Sequence, residues 1–254
     1  MKPKPPPRLH VILAREAPLA VVLRRGPANQ VCTMLWNRRT DEFTLGQWLK
    51  GRIYEDKCGL SPDGRFFIYF AYDGRPHREH GPSWTAVSRA PWLKAIALYA
   101  KGDTWGGGGF FTGPRTYWLC SGHRCVQDTT EVRRDVSDVQ PQICHDRWAE
   151  AGWRFYDEID AAGMKQRFRE KELPRGWVLR LKSRWDDYEL EHVRSKAVWP
   201  FPGWGWAELD RHRLVWAEKG CLFTAALDRE QGVGAPKLLH DFNEMKFEAR
   251  AAPY

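Results

Sequence analysis

No stretch of eighteen consecutive apolar residues occurs in the chain, which excludes a transmembrane helix. The first apolar run, Val11-Ile12-Leu13-Ala14, is cut off by Arg15 and Glu16, too soon for the core of a signal peptide. No run of Lys and Arg exceeds two residues, so a concentrated polybasic motif is absent. The six cysteines, at 32, 58, 120, 125, 144 and 221, are scattered in a chain large enough to need no covalent staples. Together these absences predict a cytoplasmic protein with reduced thiols and no membrane partner.

What is abundant is tryptophan: 14 of 254 residues, beside an ordinary 43% hydrophobic and 28% charged content. Tryptophan suits packed sheet faces and the rims of binding surfaces. The net charge of +8 is uneven: residues 1–127 carry 19 Lys/Arg against 9 Asp/Glu, whereas residues 128–254 carry 21 against 23. A basic half can meet nucleic acid or an acidic protein, or can consist of solvated arginines at strand ends.

The chain reads as all-β. Ser61-Pro62-Asp63-Gly64 is a tight turn: proline presets φ, aspartate bonds its own backbone and glycine accepts a positive φ. It feeds Phe66-Phe67-Ile68-Tyr69-Phe70, whose unbroken apolar character predicts a buried strand. Further short runs at 11–14, 20–23, 31–36, 43–49, 116–119, 177–181, 188–193, 205–209, 214–218 and 222–227 read as strands between Gly/Pro/Asn/Asp turns. The segment near 146–170 is more charged and less alternating and reads as a short helical insertion. Residues 1–9 read as a flexible basic, proline-rich tail, and 10–254 as one domain.

Looser copies of the turn-plus-strand phrase recur. Phe111–Leu119, Leu173–Leu179 and Leu209–Trp216 each place a polar turn with a basic residue before an apolar strand, at irregular spacings of roughly forty to sixty residues. A β-propeller of about five four-stranded blades accounts for this, with a sandwich or barrel as the alternative. The phrase Leu60-Ser61-Pro62-Asp63-Gly64-Arg65 with its strand resembles the repeat of WD40-like propellers of the TolB type. The resemblance implies that the turn joins two inner strands of a blade; it implies no activity. Each terminus holds too few strands for a blade, so pairing of N- and C-terminal strands is expected to close the ring.

Two kinds of candidate site stand out. Trp199-Pro200-Phe201-Pro202-Gly203-Trp204-Gly205-Trp206 reads as an aromatic loop, either a recognition patch or a core plug, with Trp199, Phe201, Trp204 and Trp206 as candidate contacts. Trp105 is a further candidate anchor; it precedes Gly106–Gly109, a run that lacks the Gly-Lys-Ser/Thr ending of a phosphate loop. Cys120, His123 and Cys125, with Cys144 and His145, carry zinc-ligand chemistry in a spacing that matches no standard finger, so no cofactor is predicted and zinc is the exception to test. The aromatic stretch lacks the interleaved acid pair of a glycosidase. The function expected is therefore a non-enzymatic, protein-binding scaffold. The alternatives are a hydrolase or lyase acting at a central channel, and nucleic-acid binding through the basic half.

Overall fold

The computed structural model describes residues 5–120, 122–136, 148–159, 163–182, 187–228 and 232–254. The fold is all-β, with five sheets among the described residues. The first is a meander of β1 (Arg8–Leu13), β2 (Leu19–Arg25), β3 (Gln30–Asn37) and β4 (Glu42–Lys50), hydrogen-bonded in chain order. β1 begins at Arg8 and buries Leu9, inside the stretch expected as a tail over 1–9.

Next along the chain come β5 (Arg52–Ile53), β6 (Gly59–Leu60), β7 (Phe66–Tyr72), β8 (Ser83–Arg89) and β9 (Ala95–Ala100). They are followed by β10 (Gly109–Phe111), β11 (Thr116–Leu119), β12 (Arg124–Gln127) and β13 (Arg133–Asp135). The second sheet has the order β12-β9-β8-β7-β5, with β6 also pairing β7. β12 thus leaves its sequence neighbours and returns to the edge of β9. β10, β11 and β13 form the third sheet, β13 joining β11 in parallel.

The fourth sheet orders β14 (Trp153–Ile159), β15 (Lys165–Leu173), β16 (Trp177–Lys182), β17 (Asp187–His192) and β18 (Val198–Phe201). The fifth orders β19 (Trp204–Asp210), β20 (Arg213–Glu218), β21 (Cys221–Ala226) and β22 (Lys237–Asp241). The chain forms two compact units, residues 1–145 with 244–254, and residues 146–243.

The apolar run of β7 is explained by burial on both faces. Phe67, Tyr69 and Ala71 enter one core of the first unit, with Val21, Leu23 and Ile53; Phe66 and Ile68 enter another, with Tyr99, Phe111 and Tyr117. Period-two alternation puts successive residues on opposite faces, so a strand between two cores carries no polar positions. The preceding turn forms as its residues dictate: Gly64 N–H donates to Ser61 O at 2.8 Å, and Gly64 has φ +75°. All four turn-plus-strand phrases lie at hairpins, one in each of four sheets: β6–β7, β10–β11, β15–β16 and β19–β20.

Two expectations are corrected. The charged segment near 146–170 is not a helical insertion: only 148–150 are helical among its described residues, and Trp153–Ile159 and Lys165–Leu173 are the paired strands β14 and β15. Its charges are cross-strand partners, with Asp157 opposite Arg167 and bonded to its Nε at 3.0 Å. Such pairing stabilises strands as i,i+4 pairs stabilise helices, so charge density alone did not discriminate between them. The chain ends do not pair either. β1 is bonded to β2 and β22 to β21, in different sheets, because each of those sheets draws four strands from contiguous chain.

Instead, residues 244–254 run along the first unit without forming a strand. Arg250 donates to Leu45 O at 2.9 Å and accepts from Gln47 Nε2 at 2.8 Å. The Tyr254 hydroxyl donates to Lys94 O at 2.7 Å and accepts from Arg89 N–H at 3.1 Å.

Candidate functional site

The antiparallel order of β12, β9, β8 and β7 brings four strand ends to one edge of the second sheet: the ends of β7 and β9 and the starts of β8 and β12. Three turns therefore meet there, at 74–81, 101–108 and 122–124. Between them lies a cavity of about 380 Å³, lined among others by Arg78, His80, Lys101 and Arg124. Each cation is steadied by one partner. Arg78 Nε lies 3.4 Å from Asp73 Oδ2, and Lys101 Nζ lies 3.3 Å from Asp103 Oδ2. Arg124 Nη2 donates to Glu79 O at 2.7 Å.

From the same edge springs the loop with Trp105, whose side chain is 83% exposed. The loop is pinned along its length. Asp103 Oδ1 accepts from Trp105 N–H at 2.8 Å, which holds the Asp103 carboxyl below its usual pKa, helped by the Lys101 ammonium. Ser83 Oγ donates to Asp103 O at 2.6 Å, and Lys57 Nζ to Thr104 O at 2.7 Å. The following glycines serve both backbone conformation and close approach: Gly106 and Gly108 have φ of +59° and +99°. A Cβ on Gly107 would stand 2.2 Å from the Phe70 ring, and one on Gly108 would stand 2.4 Å from Lys57 O.

His123 braces this region from beneath. Its Nδ1 lies 2.7 Å from Cys120 O, and a carbonyl only accepts, so Nδ1 carries the proton. Nε2 therefore accepts from the Thr85 hydroxyl at 2.8 Å, and Thr85 Oγ1 accepts from Gly108 N–H at 2.9 Å. Burial lowers the His123 pKa, keeping the ring neutral. With both nitrogens engaged, His123 acts as a tie between β8, the Trp105 loop and the turn at Cys120. Cys125 lies on β12, exposed, opposite Tyr99. Among the described residues no three His, Cys, Asp or Glu side chains gather as a metal site; Cys144 and His145 lie outside them.

The aromatic stretch at 199–206, expected as a loop forming either a recognition patch or a core plug, is strand for most of its length, and two of its rings lie in the core. Trp199 and Phe201 sit on β18 and Trp204 and Trp206 on β19, with Trp204 and Trp206 only 5% and 4% exposed. Phe201, Trp204, Trp216 and Phe223 stack in series, with centroid separations of 3.9, 4.9 and 5.7 Å. Proline did not bar a strand because β18 is the edge of its sheet, where an absent N–H is harmless. Of the five aromatic candidates, Trp105 alone is fully exposed, while Trp199 and Phe201 are half-buried. Sequence reasoning missed Arg78, Lys101 and Arg124 as a group. Lys101 directly follows an apolar strand, but Arg78 lies within a loop and Arg124 opens the exposed β12, so the sequence carried no common signal for the three.

The chain matches no protein-family model and no curated protein. No helix among the described residues is long and apolar enough to cross a membrane.

Proposed function

We propose that this chain is a non-enzymatic binding protein on a five-bladed propeller scaffold, and that it holds a protein partner through the loop carrying Trp105. The scaffold reading is supported by five sheets among the described residues, the first, fourth and fifth each drawn from contiguous chain, and by a turn-plus-strand phrase at a hairpin in four of the five. Blades of four strands with short, protected edges are the architecture such recurrence favours.

The observation that carries the function is Trp105 itself. A tryptophan 83% exposed on a loop held by Asp103, Lys57 and close-packed glycines is a large apolar surface kept in water in a fixed place. Fixed aromatic anchors lose little side-chain entropy on binding, and they dominate protein contact surfaces. A photo-crosslinking residue at position 105 tests the reading in extracts of the native source. The expected outcome is one stoichiometric protein adduct, with partner binding lost in Trp105→Ala at an unchanged melting temperature. Retention of the same partners by Trp105→Ala, or capture of nucleic acid instead of protein, would refute it.

A further inference from the structure

We infer that the cavity at this sheet edge receives a carboxylate from an acidic segment of the protein partner, beside the Trp105 anchor. The inference rests on the protein-binding reading above and adds the chemistry of the bound group. Arg78 and Lys101 come from two different turns and Arg124 from the start of β12, and the three line one cavity of about 380 Å³. Each spends only part of its donor set on the partner that steadies it: Nε of Arg78, one ion pair of Lys101 and one Nη of Arg124. A guanidinium carries five N–H groups and an ammonium three, so donors remain for a ligand.

Two side chains of these pairs are themselves well set. The Asp73 side chain is 2% exposed beneath Arg78, and the Lys101 side chain is 11% exposed. The mouth is open in front of the backbone: a Cβ on Gly81 or Gly102 would meet no heavy atom within 4 Å, so an extended segment can approach closely.

The charge balance selects the ligand. Against the three cations stand Asp73, Asp103 and the cavity residue Glu79, so the surroundings are close to neutral. Recognition therefore relies on directed, charge-assisted hydrogen bonds, not on a net positive field. That suits a single carboxylate. A carboxylate adds one negative charge to such surroundings where a phosphate dianion adds two, and a polynucleotide requires a track of uncompensated cations along its backbone.

The test uses the full-length protein and fluorescence anisotropy with three labelled probes: a decapeptide of alternating Glu and Leu, its Gln/Leu counterpart, and a ten-residue oligothymidylate. The wild-type protein is expected to bind the Glu peptide about tenfold or more tightly than the Gln peptide, the factor that one retained charge-assisted bond supplies. Lys101→Met with Arg124→Gln should shrink that preference to under about twofold, whereas Trp105→Ala should weaken both peptides alike. Arg124→Gln alone, at the exposed start of β12, provides the same readout if the double variant folds poorly. Equal binding of the two peptides, binding of neither, or tighter binding of the oligothymidylate with loss in the same variants overturns the inference. If Trp105→Ala retains the native partners while the Glu preference persists, the general reading fails and the carboxylate site stands.

Discussion

Replacing Ser61 by alanine should destabilise the first unit by about 2 kcal/mol, the cost of leaving one buried backbone N–H without an acceptor. Ser61 is fully buried, and its hydroxyl oxygen accepts from Phe66 N–H at 2.9 Å and from Arg65 N–H at 3.0 Å while donating to Asp63 Oδ1 at 2.6 Å. The two amides are not equivalent. Arg65 N–H has a second acceptor in Asp63 Oδ1 at 3.1 Å, so it survives the substitution. Phe66 is 3% exposed, and its N–H faces β6, because Phe66 O accepts from Ser61 N–H while the neighbouring Arg65 O accepts from Ala90 N–H on the β8 side. No backbone carbonyl of the turn replaces the serine oxygen there. The assay is amide hydrogen exchange on the peptide covering residues 59–72, which isolates this element from the second unit. About 2 kcal/mol corresponds to roughly thirtyfold faster exchange at Phe66. Asp63→Asn keeps the Oδ1 acceptor and should change exchange by less than about twofold. If Ser61→Ala leaves Phe66 protection within about twofold of wild type, the hydroxyl does not serve as the strand's missing acceptor, and the account of this turn is wrong.

Gly107→Ala forces a Cβ to within 2.2 Å of the Phe70 ring and should cost more than about 2 kcal/mol, read as a fall in melting temperature. Trp204→Ala empties the centre of a ring stack and should cost about 3–5 kcal/mol in the second unit, whereas Trp105→Ala should stay within about 0.5 kcal/mol by urea denaturation. Burial depresses the folded pKa of His123, so the unfolded chain binds its proton first, and stability should fall as pH drops below the ordinary histidine range near 6.5. His240 acts in the same direction in the second unit, and His123→Gln should flatten only the first unit's share of the slope in exchange measured between pH 7 and 5. Tyr254→Ala removes the bonds to Arg89 N–H and Lys94 O and should cost about 1–2 kcal/mol, seen as faster exchange at residues 89–94.

Legibility in the sequence followed burial. β7 was plain because both its faces are covered, and β2, β3, β16, β20 and β21 carry apolar runs for related reasons. The β14–β15 hairpin was misread because its outer residues are charged and find each other across strands, a pairing that exists only once the register is set. β18 was missed because Val198-Trp199-Pro200-Phe201 carries a breaker that an edge position tolerates. The loop of Trp105 was legible from its glycines, but their close fit against Phe70 and Lys57 was not, because those residues lie far away in the chain.

By itself the sequence determined the local chemistry. Ser61, Asp63 and Gly64 specify a turn because each supplies a bond or a dihedral within five residues of its own position. Likewise, Asp103 sets the backbone of Trp105 two residues on. Tertiary structure alone decided which strands share a sheet, so it decided that β12 returns to β9 and carries Arg124 to Lys101 and Arg78. It also decided that Trp204 and Trp206 face inward while Trp105 faces water. The reason is one of range: dihedrals and turn bonds are encoded between near neighbours, whereas burial and the convergence of charges depend on register between strands far apart in the chain.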